Sequence, residues 1–181
     1  MKKIMFNDKY GLTQAVLEGR KTQTRRTFLK PGEETLLDGI TPEYLISVRS
    51  RYKVGETIAI AQPYADITPQ VDWVKCMIRK ETLGWNNKMF VRAEDMPHHI
   101  RITKIRIERL QDIKSEDCLK EGLWRSGDVG LEGTTYWYHG LSNSSFRTPQ
   151  EAYASLIDRI SGKGTCASNP YVFVYDFVLI N

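Results

Sequence analysis

Residues 19–26 hold the residue types in this chain that are best suited to chemistry. They read Gly-Arg-Lys-Thr-Gln-Thr-Arg-Arg, so that Lys21 and Thr24 lie three residues apart among three arginines. A lysine that is crowded by other cations and partly withdrawn from water loses proton affinity, because both effects penalise its charged form. Such a lysine could take the proton from a nearby hydroxyl group, and Thr24 offers one. The spacing therefore permits a threonine nucleophile that is activated by a lysine.

A plainer interpretation of the same residues is also open. The apolar residues Leu12, Ala15 and Val16 predict one face of a preceding helix, and Gly19 suits the position just past its end. Cations collect at helix C-termini because the helix dipole favours them there. On this interpretation residues 19–26 are a solvated basic surface, and we expect them to be too polar and too cationic for a core strand.

Four residues of this stretch match the pattern G-x-K-x-x-T-x-R, and the match resembles the signature of the ASCH domain family, a branch of the PUA-like β-barrels. The resemblance continues in order along the chain. It includes Val-Gly-Glu-Thr-Ile at 54–58, Glu-Arg-Leu-Gln-Asp-Ile at 108–113, Glu-Gly-Leu at 121–123 and Asn-Pro-Tyr-Val-Phe-Val-Tyr at 169–175. The last of these is similar to the closing strand of the longer variants associated with phage. Residues 27–49 and 124–147 have no counterpart and are predicted to be insertions.

The resemblance implies a fold and a set of candidate catalytic residues. The fold class is α+β, with a small PUA-like β-barrel, flanking helices and loop insertions in a single domain that spans residues 1–181. In the hydrolytic branch of the family, which removes acetyl from N4-acetylcytidine, a lysine and a threonine of the signature and a later glutamate are catalytic. These roles fall on Lys21, Thr24 and Glu121 of this chain, with Arg26 as a supporting cation.

Three functions follow from the resemblance. We favour a module that binds RNA or a modified nucleoside in a cleft lined by residues 19–26. One alternative is an amidohydrolase that acts on N4-acylated cytidine, and another is a protein-interaction module like those of transcription coactivator relatives. If Glu121 merely pairs with Lys21, the lysine stays protonated and cannot serve as a base. The predicted contacts of a bound ligand in the cleft are Gly19, Arg20, Arg25 and Arg26.

An aromatic run, Tyr136, Trp137 and Tyr138, lies in a stretch rich in glycine and serine that predicts a long loop or a small hairpin. Aromatic rings stack on bases in single-stranded RNA recognition, and ligand contact is therefore one prediction for these three residues. Anchoring of the loop or the core is the other, and it is the commoner use of such rings.

Composition and charge bound the class of protein. The chain has 181 residues, a net charge of +4 and three cysteines without a C-x-x-C motif. This mild basicity permits RNA or a nucleotide as the partner. The cysteine usage indicates reduced thiols, and with no apolar run of transmembrane length we expect a cytoplasmic protein without a membrane segment. The three histidines form no metal-binding spacing and no phosphate-binding glycine loop is present, so neither a metal nor a cofactor is predicted.

The clearest strand signal covers residues 99–110. Its isoleucines lie at 100 and 102 and then at 105 and 107, so the apolar side of the strand changes between them. A regular strand cannot do this while keeping one buried face, and we therefore predict a bulge near Thr103 and Lys104. Residues 171–180 are apolar on both sides, which predicts a central strand. Further strands are predicted at residues 4–6, 44–48, 57–61, 71–78 and 88–91.

Two helices are predicted in the second half of the chain. The first ends with Glu121 at its last position, where the carboxylate opposes the helix dipole and needs a compensating partner. The second begins after Thr148, where Thr148 and Glu151 predict a capping box and Pro149 occupies the first helical position.

Overall fold

Seven strands and five α-helices make up the described part of the chain, which in this computed structural model comprises residues 1–29, 39–67, 82–126, 133–140 and 145–180. The strands are β1 (Lys2–Ile4), β2 (Gln23–Thr27), β3 (Thr57–Ile60), β4 (His99–Arg109), β5 (Trp124–Arg125), β6 (Tyr136–Trp137) and β7 (Tyr171–Ile180). The helices are α1 (Leu12–Leu17), α2 (Pro42–Arg49), α3 (Tyr64–Ile67), α4 (Ser115–Lys120) and α5 (Pro149–Ser161). Short 3-10 turns lie at Asp8–Tyr10, Lys88–Phe90, Ala93–Asp95 and Leu110–Asp112.

Five of the strands form one mixed sheet in the order β1-β3-β4-β7-β2, while β5 and β6 form a separate hairpin. The β1–β3 pair is parallel and the other pairs are antiparallel. The last strand, β7, pairs with β4 on one side and β2 on the other. Its predicted central position is confirmed, and the apolar side chains on both of its faces explain that position. The α+β class is likewise confirmed.

The predicted bulge in β4 is present. The register between β4 and β7 shifts between Ile102 and Lys104, because Ile102 pairs with Phe177 while Lys104 pairs with the very next residue, Asp176. Thr103 is the extra residue. Ile102, before the shift, is buried in the core. Ile105 and Ile107, after the shift, are partly buried and pack against the same core. The bulge thus resolves the change of side in the sequence.

The main core lies between the sheet and the helices α1 and α5. Val16 of α1, Leu156 of α5 and Val174 of β7 are all buried in it. The start of α5 has the predicted capping box: the Thr148 hydroxyl accepts a hydrogen bond from the Glu151 amide, and the Glu151 carboxylate accepts one from the Thr148 amide. The box satisfies two donors that would otherwise lack partners at the helix end.

The two edge strands of the sheet approach each other. Arg26 of β2 donates a hydrogen bond from Nη2 to the carbonyl oxygen of Met5, the residue that follows β1, at 2.7 Å. The sheet is therefore curved, and a side-chain contact links its first and last strands. Among the described helices, none combines the length and the apolar character needed to cross a bilayer.

Two of the predicted strands are wrong, and the strand predicted at residues 4–6 lies two residues earlier, as β1 (Lys2–Ile4). Residues 44–48 lie in α2, because the Thr41 hydroxyl caps the helix and Pro42 at its first position is pre-set for helical φ. Residues 88–91 begin with the 3-10 turn Lys88–Phe90, where the Asn87 side chain accepts a hydrogen bond from the Met89 amide. A third predicted strand, at 71–78, lies outside the described residues. The predicted insertion at 124–147 contains the β5–β6 hairpin, in agreement with the expected small hairpin.

Candidate functional site

The turn at Gly19 directs the chain from α1 into β2. Gly19 has a left-handed φ of 73°, which glycine adopts without strain, and its amide donates to the carbonyl oxygen of Val16. Two residues later the amide of Lys21 donates to the carbonyl oxygen of Ala15 at 2.8 Å. Gly19 therefore acts as the predicted helix-ending residue, and it places Lys21 next to the core.

The expectation that residues 19–26 are too polar for a core strand is wrong. Residues 23–27 form β2 and pair with β7, and the side chains of Gln23, Thr24 and Arg25 are buried. Burial of polar groups is costly unless each finds a partner. Here the partners come from distant segments of the chain, so the sequence near residue 23 gives no sign of them.

A buried ion pair joins Lys21 to Glu121, one hundred residues away in the sequence. Lys21 Nζ lies 2.5 Å from Glu121 Oε2 and also donates to the carbonyl oxygens of Glu121 and Gln23, at 2.9 and 2.8 Å. The two side chains are only 2% and 6% exposed. Glu121 follows the last residue of α4, where its charge opposes the helix dipole. Lys21 is thus one of the compensating partners that the sequence predicted.

Arg25 is the second of these partners. Its Nη1 donates to Glu121 Oε1 at 2.9 Å, and its Nε and Nη2 donate to Glu108 Oε1 at 2.8 and 2.6 Å. The Asp117 carboxylate lies 3.6 Å from Nη2. A guanidinium with three carboxylates around it is well suited to tie β2, β4 and α4 together. Arg25 was predicted to contact a ligand, but its charge is held within the protein.

The two buried cations differ in how firmly they hold their protons. Burial lowers the pKa of Lys21, and the charge of Glu121 opposes that shift. Burial also disfavours the charge of Arg25, but Glu121 and Glu108 outweigh it and raise the pKa of this group. Arg25 is therefore a permanent cation, whereas Lys21 is the member of the cluster that can release a proton.

A cavity of about 350 Å³ opens beside this cluster. It brings together five of the residues predicted for the site. Four of them come from residues 19–26, and the fifth lies at the end of α4. The remaining walls are largely apolar and come mainly from α5 and from the segment after β1. The predicted residues that line it are Lys21, Thr24, Arg25, Arg26 and Glu121, and its apolar side chains include Phe6, Leu12, Leu156, Ile157 and Ile160.

Two hydroxyl groups of cavity-lining residues have no partner in the described part of the chain. The Thr24 hydroxyl makes no hydrogen bond there, although Thr24 is buried. The Tyr153 hydroxyl is buried and also lacks a partner. Burial raises the pKa of Tyr153, so its phenol stays protonated and able to donate. An unpaired buried polar group is costly, so the Tyr153 hydroxyl suits a hydrogen bond to a bound ligand. Thr24 lines the cavity, and its hydroxyl is available to the same ligand.

Tyr153 is a site residue that the sequence analysis missed. It follows Ala152 and precedes Leu156 on the apolar face of α5, and in that context a tyrosine indicates core packing. Its unpaired hydroxyl and its place in the cavity wall distinguish it from an ordinary core residue, and the guanidinium carbon of Arg25 lies 5.8 Å from the centre of its ring.

Two residues of the signature turn lie outside the cavity. Gly19 is exposed at the end of α1. Arg20 donates to the Glu18 carboxylate and to the carbonyl oxygen of Gly122, and its guanidinium stacks 3.7 Å from the centre of the Trp124 ring. Arg20 thus connects α1 to the β5–β6 hairpin.

The aromatic run of the hairpin does not line the cavity either. Trp137 stacks on Trp124 with ring centres 6.4 Å apart, and Tyr136 forms a backbone bridge with Phe146. Tyr138 is buried, and its hydroxyl hydrogen-bonds with Ser155 at 2.9 Å. These contacts are those of loop and core anchors, and ligand contact by the run stays a prediction. In the described residues no group of three or more potential ligands is placed to hold a metal ion.

The chain is similar to solved structures that include the following two. One is a protein of the DUF984 family from Enterococcus faecalis, with 15% identity, a TM-score of 0.46, and coverage of 99% of this chain and 77% of that one. The other is an ASCH domain from Lactobacillus crispatus, with 13% identity, a TM-score of 0.38, and coverage of 93% and 69%. No family model and no curated protein matches the chain. At this distance neither similarity carries an argument about activity, which must rest on the geometry.

Proposed function

We propose that the cavity beside residues 19–26 binds a nucleoside, either free or as part of an RNA strand, and that the chain is a single PUA-like domain of ASCH type. The observation that carries this proposal is the convergence of Lys21, Thr24 and Glu121 on one cavity of about 350 Å³. Ligand pockets typically measure about 300–1,000 Å³, so the cavity suits a small ligand. We further propose that the curved sheet, whose edges meet at Arg26, is the barrel of that fold.

The chemistry of the cavity walls supports a nucleoside. Apolar side chains such as Phe6 and Ile160 offer a surface to the flat face of a base. The free hydroxyls of Thr24 and Tyr153 offer hydrogen bonds to its edge. A binding site of this kind, mostly apolar with a few polar groups, is typical of small-molecule recognition. The charges of Lys21 and Arg25 are already neutralised by carboxylates, so this cavity favours the neutral part of a nucleotide over its phosphate.

Calorimetric titration tests the proposal directly. The probes are cytidine, uridine, adenosine, guanosine and N4-acetylcytidine at low salt, and we expect at least one to bind. Thr24→Val keeps the side-chain shape but removes the hydroxyl, and it should weaken that binding by roughly tenfold, the cost of one lost hydrogen bond. Arg101→Ala removes an exposed arginine outside the cavity and should leave binding unchanged. Absence of binding by all five probes, or equal weakening by both variants, would overturn the proposal.

A second candidate function is hydrolysis of an N4-acylated cytidine. It is favoured by one observation: the unpaired Thr24 hydroxyl lines the same cavity as the Lys21–Glu121 pair. In the ion-paired state Lys21 donates all three of its hydrogens and has no lone pair to act as a base. Hydrolysis therefore requires that Lys21 first lose a proton, a step that burial makes easier because it lowers the pKa of Lys21.

The reaction would then proceed in two steps. Neutral Lys21 takes the proton of the Thr24 hydroxyl, the oxygen attacks the acyl carbon, and the cytosine amine leaves with the proton returned by Lys21. Water then hydrolyses the acyl-threonine ester and releases the carboxylic acid. The net reaction consumes one water molecule and yields cytidine and the acid.

Release of acetate from N4-acetylcytidine measures this second function. Thr24→Ala should abolish it, and Lys21→Arg should do the same because arginine cannot be deprotonated. The rate should rise with pH and reach its plateau with a midpoint below the ordinary pKa of lysine, because burial lowers the pKa of Lys21. If N4-acetylcytidine binds to the wild-type protein but no acetate appears at any pH, hydrolysis is excluded for this substrate and the binding function remains.

A further inference from the structure

A second cavity of about 340 Å³ adjoins the first. Met5, Arg26 and Thr27 line both cavities, and the hydrogen bond from Arg26 to the carbonyl oxygen of Met5 lies between them. A ligand in the first cavity can therefore extend into the second by displacing one side-chain hydrogen bond. Arg26 is exposed, so its guanidinium is free to turn toward such a ligand.

Four cations line the second cavity: Lys3, Arg26, Arg49 and Arg51. In the described part of the chain none of them forms an ion pair, and no carboxylate is among the residues that line this cavity. Like charges placed together without counter-charges repel one another and create a positive potential. Lys3 Nζ donates to the carbonyl oxygens of Met89 and Val91, so the three arginines are the cations best placed to attract an anion.

Aromatic side chains form the floor between these cations. Phe28 stacks on Phe173 with ring centres 4.1 Å apart, and Tyr52 meets Tyr175 edge to face at 5.2 Å. Phe28 is only partly buried, so part of this ring pair can contact a ligand. Cations beside aromatic rings are the surface that binds nucleotides of single strands, because the cations meet the phosphates and the rings meet the bases or sugars.

We propose that the second cavity is a phosphate subsite, and that the ligand of the protein is a nucleotide whose base occupies the first cavity and whose phosphate lies among Arg26, Arg49 and Arg51. This inference rests on the proposed nucleoside-binding function. It divides the recognition of one ligand between the two cavities, with the neutral base in the first and the anion in the second. An acidic peptide would use the cations of the second cavity but would have no use for the adjoining apolar one.

The test compares cytidine, its 5′- and 3′-monophosphates and a single-stranded cytidine trinucleotide by calorimetry at low salt. The variant is Arg49→Ala/Arg51→Ala, and the matched control is Arg101→Ala/Arg147→Ala, which removes two exposed arginines outside both cavities. We expect one monophosphate to bind at least tenfold more tightly than cytidine. The Arg49/Arg51 variant should lose that advantage and keep the affinity for cytidine, while the control keeps both.

The titrations distinguish a nucleic-acid strand from a free nucleotide as the source of the phosphate. They also distinguish failure of the subsite from failure of the proposed function. Tighter binding of the trinucleotide than of either monophosphate supports a strand as the ligand, and equal binding supports a free nucleotide. The subsite is overturned, and the proposed function stands, in two cases. In the first, cytidine binds but its monophosphates bind no more tightly. In the second, the tighter binding of a monophosphate is kept in the Arg49/Arg51 variant. If no nucleoside or nucleotide binds, both are overturned. Equal competition by a glutamate-rich peptide against the trinucleotide would also overturn the subsite.

Discussion

The two adjoining cavities have nearly the same volume and share three lining residues, yet their cations are held in opposite ways. In the first, Lys21 and Arg25 are buried and paired with carboxylates. In the second, Arg49 and Arg51 are exposed and have no carboxylate partner in the described residues. A paired cation has its field cancelled locally, whereas an unpaired one projects it into the cavity. The role of a basic residue therefore depends on its partners more than on its type.

This difference assigns different roles to the basic residues within the stretch 19–26. Lys21 and Arg25 hold β2 against α4 and β4 through Glu121 and Glu108. Arg26, one residue further, is exposed and touches both cavities. Along β2 the side chains change from buried at Arg25 to exposed at Arg26, and this change separates the two tasks. The predictions below test the separation by removing charges from each side of it.

The largest effect is expected from Glu121→Ala. This change leaves Lys21 buried without a carboxylate and removes one of the partners of Arg25. Breaking a buried ion pair by deleting one member typically costs about 3–5 kcal/mol of unfolding free energy. Chemical denaturation of the variant and the wild type measures the loss, and a change below about 1 kcal/mol would show that the paired cations are not structural.

The double variant Lys21→Met/Glu121→Leu sharpens that measurement. It removes both charges and replaces them with apolar groups of similar length, a change that is often close to neutral for a buried pair. We expect it to be more stable than Glu121→Ala alone. A double variant that is less stable than the single one would mean that Lys21 stabilises the fold through its other contacts, the hydrogen bonds to the carbonyl oxygens of Gln23 and Glu121.

A smaller effect is expected from salt. If about two phosphates of a single strand are neutralised, raising the salt from about 50 to about 200 mM should weaken binding of the cytidine trinucleotide roughly sevenfold. Cytidine itself should show almost no salt dependence, because it carries no phosphate whose charge could be neutralised. The two titrations differ only in the phosphates of the ligand. Equal salt dependence for both ligands would contradict the division between the cavities.

Tyr153→Phe should produce a change of similar or smaller size. The loss of one ligand hydrogen bond is expected to weaken nucleoside binding by about 0.5–1.5 kcal/mol. The free energy of unfolding should stay the same or rise, since the hydroxyl that is removed has no partner within the described part of the protein. Calorimetry measures the expected loss of nucleoside affinity, and denaturation measures the free energy of unfolding. A loss of stability without a loss of binding would show that Tyr153 is only a core residue.

The smallest expected effect is the change in unfolding free energy when two arginines of the second cavity are removed. Arg49→Ala/Arg51→Ala removes exposed, unpaired charges, and such surface substitutions typically change unfolding free energy by less than about 0.5 kcal/mol. Thermal denaturation checks this, and it also ensures that any loss of nucleotide binding is not a loss of folding. A clear destabilisation would mean that these arginines have structural partners.

Features with a local cause could be predicted from the sequence. The bulge at Thr103 follows from a change of side within one strand, and the capping box at Thr148 follows from residues three apart. The need of Glu121 for a compensating cation also follows from its place at a helix end. The identity of that cation does not, because Lys21 lies one hundred residues away.

The predictions that failed concern features whose cause lies in distant parts of the chain. Residues 23–25 read as too polar for a core strand because the carboxylates that pair with Gln23 and Arg25 come from distant segments, Asp176 of β7, Glu108 of β4 and Glu121 after α4. Tyr153 reads as a core residue because only the tertiary structure places its ring beside Arg25 and in the cavity wall. The second cavity joins residues from β1, β2, α2 and β7, and no single stretch of sequence contains its pattern.

The most direct test of the whole account is a crystal structure of the protein with the single-stranded cytidine trinucleotide. The account predicts one base in the first cavity, within hydrogen-bond distance of the hydroxyls of Thr24 and Tyr153. It also predicts the adjoining phosphate in the second cavity, between Arg26 and Arg49. A trinucleotide bound elsewhere on the surface, with both cavities free of it, would contradict the central claim.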